Sequence, residues 1–200
     1  MPKPCSYLFL ALLACLAVPQ ELPAQENRSR PAGEISVAEE SIQLLYINPR
    51  TQAEGDIPPG ELGYGLFLNE ARDFVASANY YVEANRLRML NRLSILVGPV
   101  AYAALLSEDN GDVFALALGA EARFLLLRNP QLTLVGRAVY APDILTFGSA
   151  DNLWDVVGRA EIPITNRITG FAGFRLFEID LLEGKRELEE SMHLGLRYRF

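Results

Sequence analysis

Charged side chains that could bind an anion recur in the second half of the chain, two positions apart. Glu121 precedes Arg123 and Arg159 precedes Glu161, each pair being separated by one alanine. In an extended strand this spacing puts both members on the same face. Guanidinium groups bind carboxylates and phosphates in forked geometry, so the pattern predicts either anion capture or mutual pairing. The complete set holds six arginines, two glutamates and one histidine: Glu121, Arg123, Arg137, Arg159, Glu161, Arg175, His193, Arg197 and Arg199.

Catalysis finds little support in the same residues. His193 is the single histidine of the chain, and the position two residues after it is Gly195 rather than a serine. Four acids that could pair for acid–base chemistry lie in segments predicted as loops, with no partner base: Asp143, Asp151, Glu183 and Glu187. We therefore predict no enzymatic activity, no metal site and no cofactor.

The overall composition excludes two further classes. The 200 residues are 50% hydrophobic and 22% charged, which excludes a disordered chain and fits one domain. The formal net charge of −7 argues against a nucleic-acid partner, because phosphate binding needs a basic face.

The first residues have the form of a secretory signal. An apolar run over residues 5–18 follows Lys3, and Ala24 ends a small-residue cleavage site. The run is shorter than the roughly 20 residues that a membrane-spanning helix needs. We predict a cleaved signal at 1–24, a polar lead-in at 25–35 and a folded domain at 36–200. The minority alternative is a lipoprotein signal with Cys15 as the lipidated residue.

The folded domain alternates apolar and polar residues with the period of a β-strand. The last strand is the clearest, with polar or small residues between its apolar ones: Met192, Leu194, Leu196, Tyr198 and Phe200. The pattern predicts an all-β, antiparallel barrel of about ten strands, with eight as the alternative count. The predicted strands are 36–48, 61–69, 73–83, 86–92, 94–105, 111–124, 132–142, 152–162, 167–178 and 190–200.

Alternation alone fits either a transmembrane barrel or a soluble one with an apolar ligand inside. The connections favour the membrane, because they fall into a long, acidic set and a tight set, as in bacterial outer-membrane barrels. The long set, predicted at one end, is 49–60, 106–110, 143–151 and 179–189. The tight turns, predicted at the other end, are 70–72, 129–130 and 165–167.

Aromatic residues near strand ends support the same interpretation, since transmembrane barrels carry aromatic girdles at both interfaces. Five are predicted at the long-loop end: Tyr46, Tyr80, Phe114, Tyr140 and Trp154. Tyr198 and Phe200 are predicted at the opposite end. A terminal strand ending in phenylalanine also resembles the assembly signal of bacterial outer-membrane proteins, which implies the barrel-assembly machinery as a partner.

Over residues 61–200 the chain resembles the YfaZ family of outer-membrane proteins. The similarity rests on residues 62–65 (LGYG), 138–143 (AVYAPD) and 170–175 (GFAGFR), and on the C-terminal strand. The resemblance implies a porin-like barrel of the outer membrane. It brings no established substrate and no catalytic residues.

These observations predict a small porin-like or structural protein of the bacterial outer membrane, surrounded by outer-membrane lipid and lipopolysaccharide. A cationic lumen would favour small anionic solutes, whereas pairing of arginines with glutamates would plug it. Two alternatives remain open: a non-conducting structural or adhesive barrel acting through acidic loops, and a soluble periplasmic ligand-binding barrel. The sequence makes no prediction of the oligomeric state.

Overall fold

The computed structural model describes residues 30–52, 58–84, 92–107, 111–181 and 184–200. The predicted signal peptide and most of the lead-in lie outside these ranges. Within these ranges all regular elements are β-strands except a three-residue 3-10 helix, Asp143–Leu145. The strands are β1 (Ala32–Val37), β2 (Ser41–Arg50), β3 (Gly60–Asn69), β4 (Phe74–Glu83), β5 (Leu93–Leu105), β6 (Asp112–Arg128), β7 (Gln131–Ala141), β8 (Thr146–Gly148), β9 (Ala150–Pro163), β10 (Ile168–Leu181) and β11 (Gly184–Arg199).

Ten of these strands close into an antiparallel barrel. Each barrel strand pairs with its neighbours in chain order, β7 pairs directly with β9, and β1 closes the ring against β11. The short β8 pairs with β6 beside one mouth. Within the described ranges, no helix is long and apolar enough to cross a membrane. The predicted fold class and the count of ten are confirmed.

Two of the predicted strands are nevertheless wrong. Segment 36–48 contains a hairpin, because the chain turns at residues 38–40 between β1 and β2. Residues 32–35 of the predicted lead-in belong to β1. The predicted strand 86–92 lies mostly outside the described residues, and β4 pairs directly with β5, so no barrel strand separates them. The hairpin escaped prediction because apolar alternation is present on both sides of the turn, and only a one-residue shift in its phase marks the turn.

These two errors invert the expected sidedness over the first part of the barrel. We call the end with Ala32 and Phe200 the terminal end, and the opposite end the far end. The long connection 51–59 lies at the terminal end with the tight turns 129–130 and 164–167. The tight turn 70–73 lies at the far end with connections 106–111 and 142–149. The expected separation of long loops from short turns is therefore corrected.

The outer surface is an apolar belt. Leu118, Met192 and Leu194 are 67–74% exposed, although such side chains are normally buried in a water-soluble fold. On β6 the exposed side chains alternate with buried ones from residue 113 to residue 121. Nine of the ten barrel strands have 10 to 17 residues. This length matches the roughly 9–11 residues with which a tilted strand crosses a bilayer.

Candidate functional site

The interior of the terminal half holds a closed ring of four charged side chains. Arg197 donates to both oxygens of Glu161 at 2.9 and 3.0 Å, and its Nε donates to Glu34. Arg159 completes the ring with bonds of 2.9 Å to Glu34 and 2.9 Å to Glu161. β1, β9 and β11 supply these residues by presenting alternate side chains to the lumen. Each carboxylate thus touches two guanidinium groups, and each guanidinium touches two carboxylates.

A second cluster lies near the mouth of the terminal end. Arg123 of β6 makes a forked contact with Glu61 of β3, at 2.7 and 2.9 Å, across the barrel. Its Nε also donates to Glu121 at 2.5 Å. Between Arg123, Arg197, Arg199 and Glu61 the mouth leaves a small polar pocket of about 40 Å³.

Asp155 is the hub of a third cluster in the middle of the lumen. Arg175 donates to its two oxygens at 2.9 and 3.1 Å, and Arg137 donates at 3.2 Å. The Tyr102 hydroxyl donates to the same carboxylate at 2.9 Å. Glu189 approaches the other side of Arg175 at 3.4 Å. Asp155 is 1% exposed, so its charge is compensated by protein groups rather than by water.

The expected excess of positive charge in the lumen is corrected by these contacts. The six arginines predicted to line the lumen lie inside the barrel or at its mouth, together with Arg186. Seven described acids share the interior with them: Glu34, Glu61, Asp73, Glu121, Asp155, Glu161 and Glu189. With a neutral histidine the formal charges cancel. Sequence reasoning missed Glu34, Glu61 and Glu189 because they lay in predicted loops or at strand starts. Asp155 shares the polar face with Arg159, and its alternation could have revealed it.

The interior of the far half is mostly apolar and closely packed, apart from an ion pair in which Arg186 donates to the buried Asp73 at 3.0 and 3.1 Å. Its core includes Phe177, Leu153 and Ile179, all 0% exposed. Phe177 packs against Phe67 and Tyr102 with ring centroids 5.6 and 5.7 Å apart, and the Arg175 guanidinium lies 4.6 Å from its centroid. Water does not reach these side chains, so the lumen is closed at this level.

The remaining predicted interior residues have weaker partners. His193 is buried beside Phe171, with ring centroids 6.1 Å apart, and its Nδ1 has no hydrogen-bond partner among the described residues. Arg199 lies at the mouth and donates to Thr169 at 3.0 Å. Within the described part of the chain, no group of three or more potential metal ligands forms a cluster.

The predicted interface aromatics divide between the ends. Phe114, Tyr140 and Trp154 lie on the outside near the far end, with the Tyr140 and Trp154 centroids 4.2 Å apart. Tyr46 lies in the middle of β2, and Tyr80 lies toward the terminal end, where its hydroxyl donates to the Pro58 carbonyl. Their expected place beside the other three is wrong because of the inverted sidedness of β2–β4.

The predicted assembly-signal residues all point outward from β11 or its end: Met192, Leu194, Leu196, Tyr198 and Phe200. Tyr198 and Phe200 lie at the terminal end, with ring centroids 5.5 Å apart.

No family model matches this chain, and no curated protein matches it by sequence. Three solved structures are similar to it. A bacterial polysaccharide outer membrane secretin has a TM-score of 0.48 and 13% identity, over 80% of this chain and 56% of that one. The outer membrane channel DcaP of Acinetobacter baumannii has 0.42 and 8%, over 82% and 54%. A KdgM porin in complex with disordered oligogalacturonate has 0.44 and 10%, over 85% and 98%.

The chain spans about half the length of the first two of these structures. At TM-scores below 0.5, the similarities carry no argument about what this chain does. The chain itself is a closed ten-stranded antiparallel β-barrel, with an apolar exterior and an interior filled by paired charges and apolar side chains.

Proposed function

We propose that this chain is a porin-like β-barrel of the bacterial outer membrane whose lumen is closed by its own side chains. The carrying observation is the reversal of the usual distribution: apolar rows face outward while paired charges lie inside. In water such a surface would aggregate, whereas in a bilayer it faces hydrocarbon. Ring closure pairs all six residues of β1 with residues 194–199 of β11, so the two end strands bond to each other in the terminal half, as hydrocarbon requires of a barrel.

The closed lumen favours a structural role in the membrane over free diffusion of solutes. An open porin lumen is filled with water, but here the far half excludes it and the terminal half neutralises its own charges. In this role the barrel holds the connections at its far end outside the membrane, where they are available for contact with other molecules. The far rim carries exposed acids, among them Asp143 in a connection and Asp112 and Glu187 near the far ends of β6 and β11.

Passage of small anionic solutes is the second candidate. Arg30, Arg123, Arg197 and Arg199 line the pocket in the terminal mouth, where an anion would find four arginines and one carboxylate. Transport through the barrel would further require the Phe177 layer to part.

Two measurements on the full chain test these proposals. Unboiled protein from outer-membrane fractions is expected to migrate faster on a denaturing gel than boiled protein, because a closed barrel resists detergent unfolding. A soluble periplasmic protein without such a shift would contradict the membrane assignment. In planar bilayers we expect no steady conductance from the wild type. A steady, anion-selective conductance that falls in Arg123→Gln would contradict the structural role. It would support the passage of small anionic solutes instead.

The finer predictions from the sequence belong to the same proposal. Membership of the YfaZ family is supported by the motifs in β3, β7 and β10. Recognition of the C-terminal strand by the barrel-assembly machinery is supported by its outward apolar row. Absence of enzymatic activity is supported by the position of His193, the single histidine of the chain, which is buried beside the Phe171 ring inside the barrel.

A further inference from the structure

An apolar groove indents the outer belt across β6, β7, β9 and β10. Its volume is about 520 Å³, and its floor is made by Ala122, Gly136, Gly158, Ala160 and Ala172. A Cβ built on Gly136 or Gly158 would meet no atom within 4 Å, so the groove is open to the surroundings at both positions. Phe124 and Leu134 line the groove beside this floor, on the side nearer the terminal end.

The same four strands end in two exposed arginines at the terminal end. Arg128 is the last residue of β6, beyond a bulge at residues 125–127, and Arg167 lies in the turn between β9 and β10; both are exposed at the rim. No described carboxylate forms an ion pair with either guanidinium. Because β7 and β9 are neighbours in the ring, the two arginines lie on either side of the groove's terminal end.

The two rims of the barrel differ in charge. Among described residues, the exposed charges of the terminal rim are Arg30, Glu83, Arg92, Arg128 and Arg167. Those of the far rim are Glu39, Glu40, Glu70, Arg72, Asp112, Asp143, Lys185, Glu187 and Glu190. The groove therefore lies closer to the basic rim, at the terminal end, than its apolar floor alone would indicate, because Phe124 and Leu134 extend it in that direction.

We propose that this groove binds one acyl chain of an anionic phospholipid whose phosphate is held by Arg128 and Arg167. The site rests on the proposed membrane position. An acyl chain fits the apolar floor, where it replaces contacts that ordinary side chains would make. A phosphate matches the forked donors of arginine. A lipid with no net charge would gain less at this rim, since its own cation opposes the two guanidinium groups.

The test is native mass spectrometry of the refolded full chain in detergent, titrated with phosphatidylglycerol and with phosphatidylcholine of the same acyl chains. We expect one phosphatidylglycerol per barrel, bound about tenfold more tightly than phosphatidylcholine. Arg128→Gln with Arg167→Gln should remove this preference. Gly136→Leu with Gly158→Leu should abolish retention of the lipid, because the added side chains occupy the groove. Neither glycine has the left-handed backbone that would strain a leucine.

Two matched variants control for charge and for bulk. Arg72→Gln removes the same charge at the far rim, and Ala103→Leu adds bulk to the belt outside the groove; both should bind the lipid like the wild type. Equal affinity for the two lipids, or an equal effect of Arg72→Gln, would overturn the site. Binding of glycerol phosphate as tight as that of the intact lipid would overturn the role of the groove. A dimer that the leucine variant dissociates, without bound lipid, would assign the groove to a second copy.

The gel-shift assay is run on each sample before the titration. A barrel that shows the shift but no lipid preference refutes the lipid site alone. A chain that shows no shift refutes the membrane barrel and the lipid site together.

Discussion

The two halves of the barrel interior are filled by opposite chemistries. The terminal half holds interlocked arginines and carboxylates, whereas the far half holds mainly aromatic and aliphatic side chains in close contact, with a single charged pair, Asp73 and Arg186, among its described residues. Both sets of side chains fill the lumen, but different interactions hold them in place. The far half is stabilised by dispersion and by removal of apolar surface from water. The terminal half is stable only while each buried charge keeps its partner.

This difference predicts where the barrel tolerates change. An ion-paired interior requires precise placement of its side chains but adds little free energy of folding, because the desolvation of the charges offsets their attraction. An apolar interior tolerates substitutions that conserve volume. We therefore expect the charged half to determine which strands face one another, and the apolar half to act as the seal.

The largest effect is expected from Asp155→Ala. Arg137 and Arg175 would then lie close together without the carboxylate that both contact, and the loss should be about 3–5 kcal/mol of unfolding free energy. Urea unfolding in detergent, followed by the compact band on unboiled gels, measures it. Asp151→Ala, on the same strand near the mouth, is the control and should change stability little. Equal losses of unfolding free energy in the two variants would show that the contacts of Asp155 contribute no more to stability than those of Asp151.

A somewhat smaller effect is expected from Leu153→Ala, which creates a cavity in the far half. The side chain is 0% exposed, so the loss should be about 2–5 kcal/mol in the same unfolding assay. Leu118→Ala truncates a side chain of the outer belt, where detergent or lipid refills the space, and should cost much less. An equal loss of unfolding free energy in Leu118→Ala would mean that the outer belt is also buried in the assembled protein. The apolar interior of the far half would then contribute no more to stability than the belt does.

The smallest effect is expected from Arg197→Lys, which keeps the charge but loses the forked contact with Glu161. The loss should be about 1–2 kcal/mol, because a lysine ammonium cannot bridge Glu34 and Glu161 in the same plane. Arg199→Lys, where the arginine donates a hydrogen bond to the neutral Thr169 hydroxyl, serves as the control and should change stability little. Unchanged stability of Arg197→Lys would mean that charge alone, and not the forked geometry, holds together the ring of four charged side chains.

Particular residues show how far sequence patterns reached. The alternation along 192–200 and 113–124 predicted strand, direction of the side chains and barrel, because a period of two has one structural meaning when sustained. The hairpin at 38–40 was missed because both sides of it alternate, although the outward residues change from odd positions (Ile35, Val37) to even ones (Ile42, Leu44), a phase shift that marks the turn. That single omission, with the extra strand at 86–92, placed Tyr46 and Tyr80 at the wrong end.

The local pattern by itself determined the all-β class and which residues of most strands face inward, since both follow from the geometry of an extended chain. Only the tertiary structure decided which charges meet. Glu34 and Arg159 are far apart in the chain, and so are Glu61 and Arg123. Their contacts depend on ring closure and on the stagger between strands, which no local pattern encodes. The balance of charge in the lumen, and hence its closure, follows from those long-range contacts.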